Sequence, residues 1–203
     1  MASTTPSESP LTLDRIVAAA EEAVRRFGPE KATVIDVARM LGVSHAAVYR
    51  HVATKAQLRD LVVRRWAEET VSPLRAIVAN KGTASRRLRK FFDTLIATKR
   101  RRASKDPELF AAYKALAAQA RPIIDAHVHE LIGLAASIIR AGTEEGTFRA
   151  VNPETAARCI LWATARFHHP AHCAEWTDPS IDATFDEIWT MLMNGLRAER
   201  RTK

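Results

Sequence analysis

The densest group of potential metal ligands in the chain is His168, His169, His172 and Cys173. His168 and His172, or His169 and Cys173, lie four residues apart, a spacing that would set two ligands on one helical face. Such a site could serve a metal sensor or a metal-dependent enzyme. Pro170 interrupts any continuous helix there, and no HExxH or paired CxxC supplies the remaining ligands. A solvent-facing histidine cluster between two helices is the plainer reading. His127 shares a helical face with Ile123, Ile124 and Leu131. An imidazole so placed either hydrogen-bonds a ligand in a cavity or is a satisfied core group. The chain has no GxSxG, phosphate-binding loop or dinucleotide fingerprint. The acidic pairs Glu21-Glu22, Glu68-Glu69 and Glu144-Glu145 fall in polar runs, where solvated faces are the default. No catalytic residue, cofactor or committed metal ligand emerges, and an enzyme is not expected.

The other chemistry on offer is polyanion binding. The 203 residues carry a formal net charge of +8 and a pI near 10.0, a balance that favours an anionic partner without specifying a fold. Thr33 to Lys55 gives that charge an address. Thr33 and Asp36 have capping-box spacing. Val34, Val37, Ala38 and Leu41 share a helical face. Gly42 stands where that helix must stop, and Ser44 caps a second helix running from His45 to His51. Val48 points back at Val37 and Leu41. Two short helices so joined form a helix-turn-helix, whose second helix enters the major groove of DNA. On its outward side, His45 and Arg50 can reach base edges, and the methyls of Ala46 and Ala47 can meet thymine. Thr54 and Gln57 have the spacing of a second capping box. Lys55 follows in the first turn of the next helix, against the macrodipole, where a phosphate oxygen would suit both the lysine and the backbone amides.

Gly42-Val43 followed by Tyr49, His51, Val52, Lys55 and Leu58 resembles the DNA-binding domain of the TetR family of bacterial repressors, with Val52 where an aromatic is commoner. The resemblance spans Leu11 to Trp66. It implies a cytoplasmic, homodimeric transcriptional regulator, usually a repressor, released from a palindromic double-stranded DNA operator by a small molecule. It also implies that Thr33, Ser44, Tyr49, His51 and Lys55 touch the DNA backbone.

The remaining elements must position these residues. Composition, 47% hydrophobic and 27% charged, is that of a globular chain with a real core. Two cysteines are too few for a disulfide framework, and no run of about 18 apolar residues is present. Periodicity predicts an all-α fold of roughly nine helices. Residues 1–10 read as a disordered tail, 11–66 as the DNA-binding domain, and 67–203 as a ligand-binding and dimerisation domain. Helix 1 runs from Leu13 to Phe27. The helix opened by Thr54 continues toward Asn80, with Pro73 kinking or splitting it. A helix over 84–104 ends in Lys99-Arg100-Arg101-Arg102, read as a solvated basic end. A short helix follows Asp106-Pro107, and Arg121-Pro122 starts a central buried helix. Phe92, Ile96, His127, Leu131 and Trp162 are the expected lining of an effector pocket, and its ligand is expected to be largely apolar. Helices from Pro153 to Phe167 and from Ile181 to Leu196 are the expected dimer interface, through Ile160, Phe167, Phe185, Ile188, Leu192 and Leu196.

Overall fold

The computed structural model describes residues 10–198. Nearly all of the expected tail therefore lies outside the described residues. Those residues form ten α-helices and one 3-10 helix, with no strand and one isolated antiparallel bridge between Phe148 and Arg197. The α-helices are α1 (Leu13–Phe27), α2 (Val34–Leu41), α3 (His45–Tyr49), α4 (Lys55–Ala79), α5 (Ala84–Lys105), α6 (Pro107–Gln119), α7 (Arg121–Glu144), α8 (Pro153–Ala163), α9 (Ala165–His168) and α10 (Ile181–Leu196). The short 3-10 helix is Pro170–Glu175.

Local chemistry sets most boundaries. Side chains of Thr12, Thr33, Ser44, Thr54, Thr83, Asp106 and Asn152 each accept a hydrogen bond from a backbone N–H in the first turn that follows. Pro73 neither splits α4 nor ends it; the helix runs unbroken to Ala79. The expected helix from Pro153 to Phe167 does break. The Thr164 hydroxyl donates back to the Ile160 carbonyl at 2.8 Å, and Thr164 leaves helical geometry as the cap between α8 and α9. That break, with the 3-10 helix after it, accounts for the two extra elements. α7 is long and apolar enough by composition to cross a bilayer. Instead, its apolar positions pack against α4, α5 and α8.

The buried side chains fall into two clusters. One joins α1 to α3 and the first half of α4 with Leu109, Phe110, Tyr113 and Leu116 of α6, Ile123 of α7, and Trp176. The other joins the second half of α4, from Val71 on, with α5, most of α7, α8, Phe167 and α10. α4 thus runs from one core into the other. Gly142 allows the tightest approach in the second core. A Cβ there would lie 2.2 Å from the Phe148 ring and 2.7 Å from the Ala84 methyl, well inside van der Waals contact. Phe148, buried in the 145–149 turn, fills the space that the glycine leaves.

Candidate nucleic-acid interface and adjoining cavity

At the expected interface, short-range bonds fix the geometry. Thr33 and Asp36 form a complete capping box: Thr33 Oγ1 accepts from Asp36 N at 3.2 Å, and Thr33 N donates to Asp36 Oδ2 at 3.1 Å. The Thr33 hydroxyl also donates to Asp36 Oδ2 at 2.6 Å, so its proton is already engaged. Gly42 ends α2 at φ 67°, the left-handed conformation that costs glycine least. Val43 N then donates to the Ala38 carbonyl at 3.1 Å, which closes the corner. Ser44 Oγ accepts from Ala47 N at 3.2 Å and keeps its own proton. α3 is one residue-pair shorter than expected, ending at Tyr49 with Arg50 as its cap.

Val48 and Val52 are fully buried and anchor the inner side. His45, Ala46, Tyr49, Arg50 and His51 are exposed, and Ala47 is half-buried. Arg50 and His45 make no side-chain hydrogen bond or ion pair among the described residues. Lys55 behaves differently: its Nζ donates to the Glu30 carbonyl, tethering the turn between α1 and α2. An ammonium has three donors, so two remain for a phosphate. The Thr54–Gln57 pair is not a closed box. Thr54 Oγ1 accepts from Gln57 N at 3.1 Å, but Gln57 Oε1 accepts from Ala53 N, one residue earlier than the box requires.

α6 is bound at both ends to this unit. Asp106, its cap, accepts from Arg25 of α1 at 2.9 Å, and Gln119 donates to Glu30 at 2.8 Å. Midway, the Tyr113 ring stacks on Trp66 of α4 with centroids 4.5 Å apart and planes 16° apart. The Arg102 guanidinium lies over the same indole at 4.9 Å, donates to the Trp66 carbonyl at 2.9 Å and ion-pairs with Glu69. The indole N–H donates to Glu21 of α1 at 2.8 Å. Burial pushes the Glu21 carboxyl above its ordinary range, and that hydrogen bond opposes the rise. Of the basic run that ends α5, only Arg101 is fully solvated. Arg102 is spent between α4 and α5, Arg100 pairs with Asp182 at 2.6 Å, and Lys99 is buried.

On its other side α6 lines a cavity of about 460 Å³, together with α5, α7, α8 and the segment around Pro170. Of the five residues expected to line a pocket, His127, Leu131 and Trp162 line this one, Trp162 being 63% exposed. Phe92 and Ile96 are not among the lining residues. Phe92 instead packs between Phe91 and Trp189, at 5.4 and 5.5 Å, inside the second core. Lys99, Tyr113 and His168, which had no expected role here, do line the cavity. Lys99 was nonetheless legible, because it falls three, four, seven and eleven residues after Ile96, Leu95, Phe92 and Leu88 of the apolar stripe.

His127 and Lys99 are each only 7% exposed. Neither ring nitrogen of His127 has a hydrogen-bond partner. Burial first, then the positive charges of Lys99 and Arg102, push its pKa down to about 3. Burial, and secondarily Arg102, pushes the Lys99 ammonium down to about 8. His168 is also held at about 3, by burial and then by Lys99. Its Nε2 lies 3.3 Å from the Leu161 carbonyl, which can only accept, so Nε2 carries the proton.

The histidine–cysteine cluster does not converge. His169 Nδ1 accepts from Ala171 N at 3.2 Å, His172 pairs with Glu175 at 2.8 Å, and Cys173 Sγ lies 3.4 Å from Lys114 Nζ. Among the described residues no three His, Cys, Asp or Glu side chains are grouped as a metal ion would require. His168, expected to face solvent with the rest, is buried.

The expected interface residues of the last helices separate by face. Ile160, Phe167, Phe185 and Leu196 are buried in the chain's own core, where Phe167 and Phe185 meet edge to face at 5.1 Å. A partner cannot reach them. The stripe of spacing four and three on α10 thus faces inward. Ile188 and Leu192 are half-buried beside it, and Met191 is 75% exposed.

Comparison with known proteins fits this arrangement. Residues 16–62 match the model described as bacterial regulatory proteins, tetR family, and residues 84–189 match a tetracyclin repressor-like C-terminal domain. The chain belongs to the TetR family of transcriptional regulators. No curated protein matches it. Among solved structures it is similar to SmeT, the repressor of the Stenotrophomonas maltophilia multidrug efflux pump SmeDEF. That match has a TM-score of 0.70 and 16% identity, over 97% of this chain and 96% of that one. It is similar also to FadR from Bacillus subtilis in complex with stearoyl-CoA, with a TM-score of 0.66 and 14% identity over 91% and 99% of the two chains. A third is a TetR/AcrR regulator from Thermobifida fusca, at 0.62 and 19% over 90% and 96%. At these identities the likeness is one of fold.

Proposed function

We propose that the chain is a cytoplasmic, homodimeric repressor that binds a palindromic DNA operator through α3 and is released when a small molecule enters the cavity beside α6. The observation that carries this reading is the double role of α6. Its Tyr113 lines the cavity and also stacks on Trp66 in the core of the DNA-binding unit. A ligand that favours one position of α6 and an operator that favours another must weaken each other's binding. The repressor SmeT and the stearoyl-CoA-bound FadR share the fold and support a ligand-responsive repressor.

His45 and Arg50 read bases, while Ser44, Tyr49, His51 and Lys55 position the helix on phosphates. Thr33 acts mainly by holding α2, since its hydroxyl is bonded to Asp36. The dimer forms through the outward faces of α8 and α10. These carry Cys159 and Trp162 on one helix and Ile188, Met191 and Leu192 on the other. Two such pairs make a four-helix bundle about a two-fold axis.

The test is selection of bound sequences from a random DNA pool, followed by salt titration on the recovered site. A palindromic motif, with affinity falling steeply as salt rises, is the expected result. Recovery of no sequence preference would defeat the regulator reading.

A further inference from the structure

The charged groups around the cavity are all of one sign. Its lining contains no carboxylate. Lys99 reaches it from α5 and has neither a hydrogen-bond nor an ion-pair partner among the described residues. His127 reaches it from α7 with both ring nitrogens unpaired. Tyr113 and Lys114 line it from α6, and Arg121 from the start of α7; the lysine and the arginine are exposed at the rim. The far wall adds His168 and His169.

A buried ammonium without a partner costs free energy, and so does a buried imidazole N–H that donates to nothing. Here both costs fall at one cavity whose other walls are Ile124, Val128, Leu131 and Leu161. A neutral apolar ligand would leave both groups unpaired and dry them further. A cationic ligand would meet Lys99, Lys114 and Arg121. An anion supplies what is missing: its oxygens accept from the ammonium and from the imidazole N–H together.

We propose that the ligand of this cavity is an amphipathic organic carboxylate, its head group held between Lys99 Nζ and the His127 ring and its apolar body laid along α7. The inference rests on reading the cavity as an effector site and names the chemistry of the effector. A volume of about 460 Å³ suits a small organic acid. Binding supplies a counter-charge to Lys99, so a pKa that burial holds near 8 rises when the acid is bound.

The experiment is calorimetric titration of the full chain with two matched sets: octanoate, octan-1-ol and octylamine, and 4-phenylbutyrate, its alcohol and its amine. At least one acid is expected to bind roughly tenfold more tightly than its alcohol, and its amine more weakly still. Lys99→Met keeps an apolar stem of similar length and removes the charge. With folding checked by circular dichroism, it should bring acid and alcohol to similar affinity. The wild-type comparison decides the matter even if that variant does not fold. Alcohols or amines binding as tightly as their acids would overturn the inference and leave the ligand-responsive reading standing. If none of the six compounds bound, both would fall.

Discussion

Arg50 and Lys99 are both cations without a partner, and they stand at opposite conditions of solvent. Arg50 lies just past the end of α3 in water, where an unpaired guanidinium costs little. Lys99 lies in a cavity, 7% exposed, where the same absence is expensive. An unpaired charge is therefore informative in proportion to the water it has lost. At the tip of the DNA-binding unit it shows only that a surface is free. In the cavity it points to the sign of what belongs there.

Four measurements would break or sharpen this contrast between buried and exposed. The largest effect concerns the last helices. Phe167→Ala should cost roughly 3–5 kcal/mol of stability, because the ring is fully buried against Phe185. Met191→Glu should leave folding intact and yield a monomer. Chemical denaturation and analytical ultracentrifugation read the two; a folded monomer from Phe167→Ala would put the interface on the inner face after all.

Next is acid stability. His127 and His168 have folded pKa values of about 3 against an ordinary 6.5. The unfolded chain therefore binds more protons between those limits. Their contribution is complete above about pH 6.5 and is lost as pH falls toward 3, with a slope of up to about 1.4 kcal/mol per pH unit for each ring. His127→Leu should flatten the acid limb of a stability–pH profile. An unchanged profile would mean that His127 is hydrated in solution.

Arg50→Ala should leave folding stability unchanged, lower operator affinity by on the order of 1–3 kcal/mol and relax preference at one base pair in each half-site. Equal loss on every operator variant would move Arg50 to the phosphate contacts. Thr33→Ala should have the smallest effect, about 1 kcal/mol of stability from the lost capping box. A loss of operator affinity with unchanged melting would instead assign the hydroxyl to DNA.

The DNA-binding unit was legible because its determinants are local. Caps, a glycine stop and a three-to-four residue apolar spacing act within a few residues, and Thr33, Gly42, Ser44 and Val48 stand where those rules put them. The cavity was legible in part. His127 and Leu131 followed from helical spacing on α7, but Phe92 and Ile96 lie on the same stripe as Lys99 and are turned into the core. Which part of a stripe meets a cavity depends on how neighbouring helices cross, and spacing carries no record of that. The basic run ending α5 misled for a related reason: a charge run is solvated only where nothing packs over it, and α4 and α6 cover this one. The inverted reading of α10 has the same root, since an apolar stripe on a terminal helix shows that a face is buried but not by which chain.

Pro73 has a mechanical consequence. It has no N–H, so the Glu69 carbonyl four residues earlier lacks its partner within α4. That gap lies just past Trp66, the last α4 residue of the first core, and overlaps Val71, where the second begins. A helix resists bending through its ladder of backbone bonds, and here one rung is missing where the rod passes from one core into the other. α4 is continuous to the eye and jointed in its stiffness, with the most compliant point set by an atom the sequence leaves out.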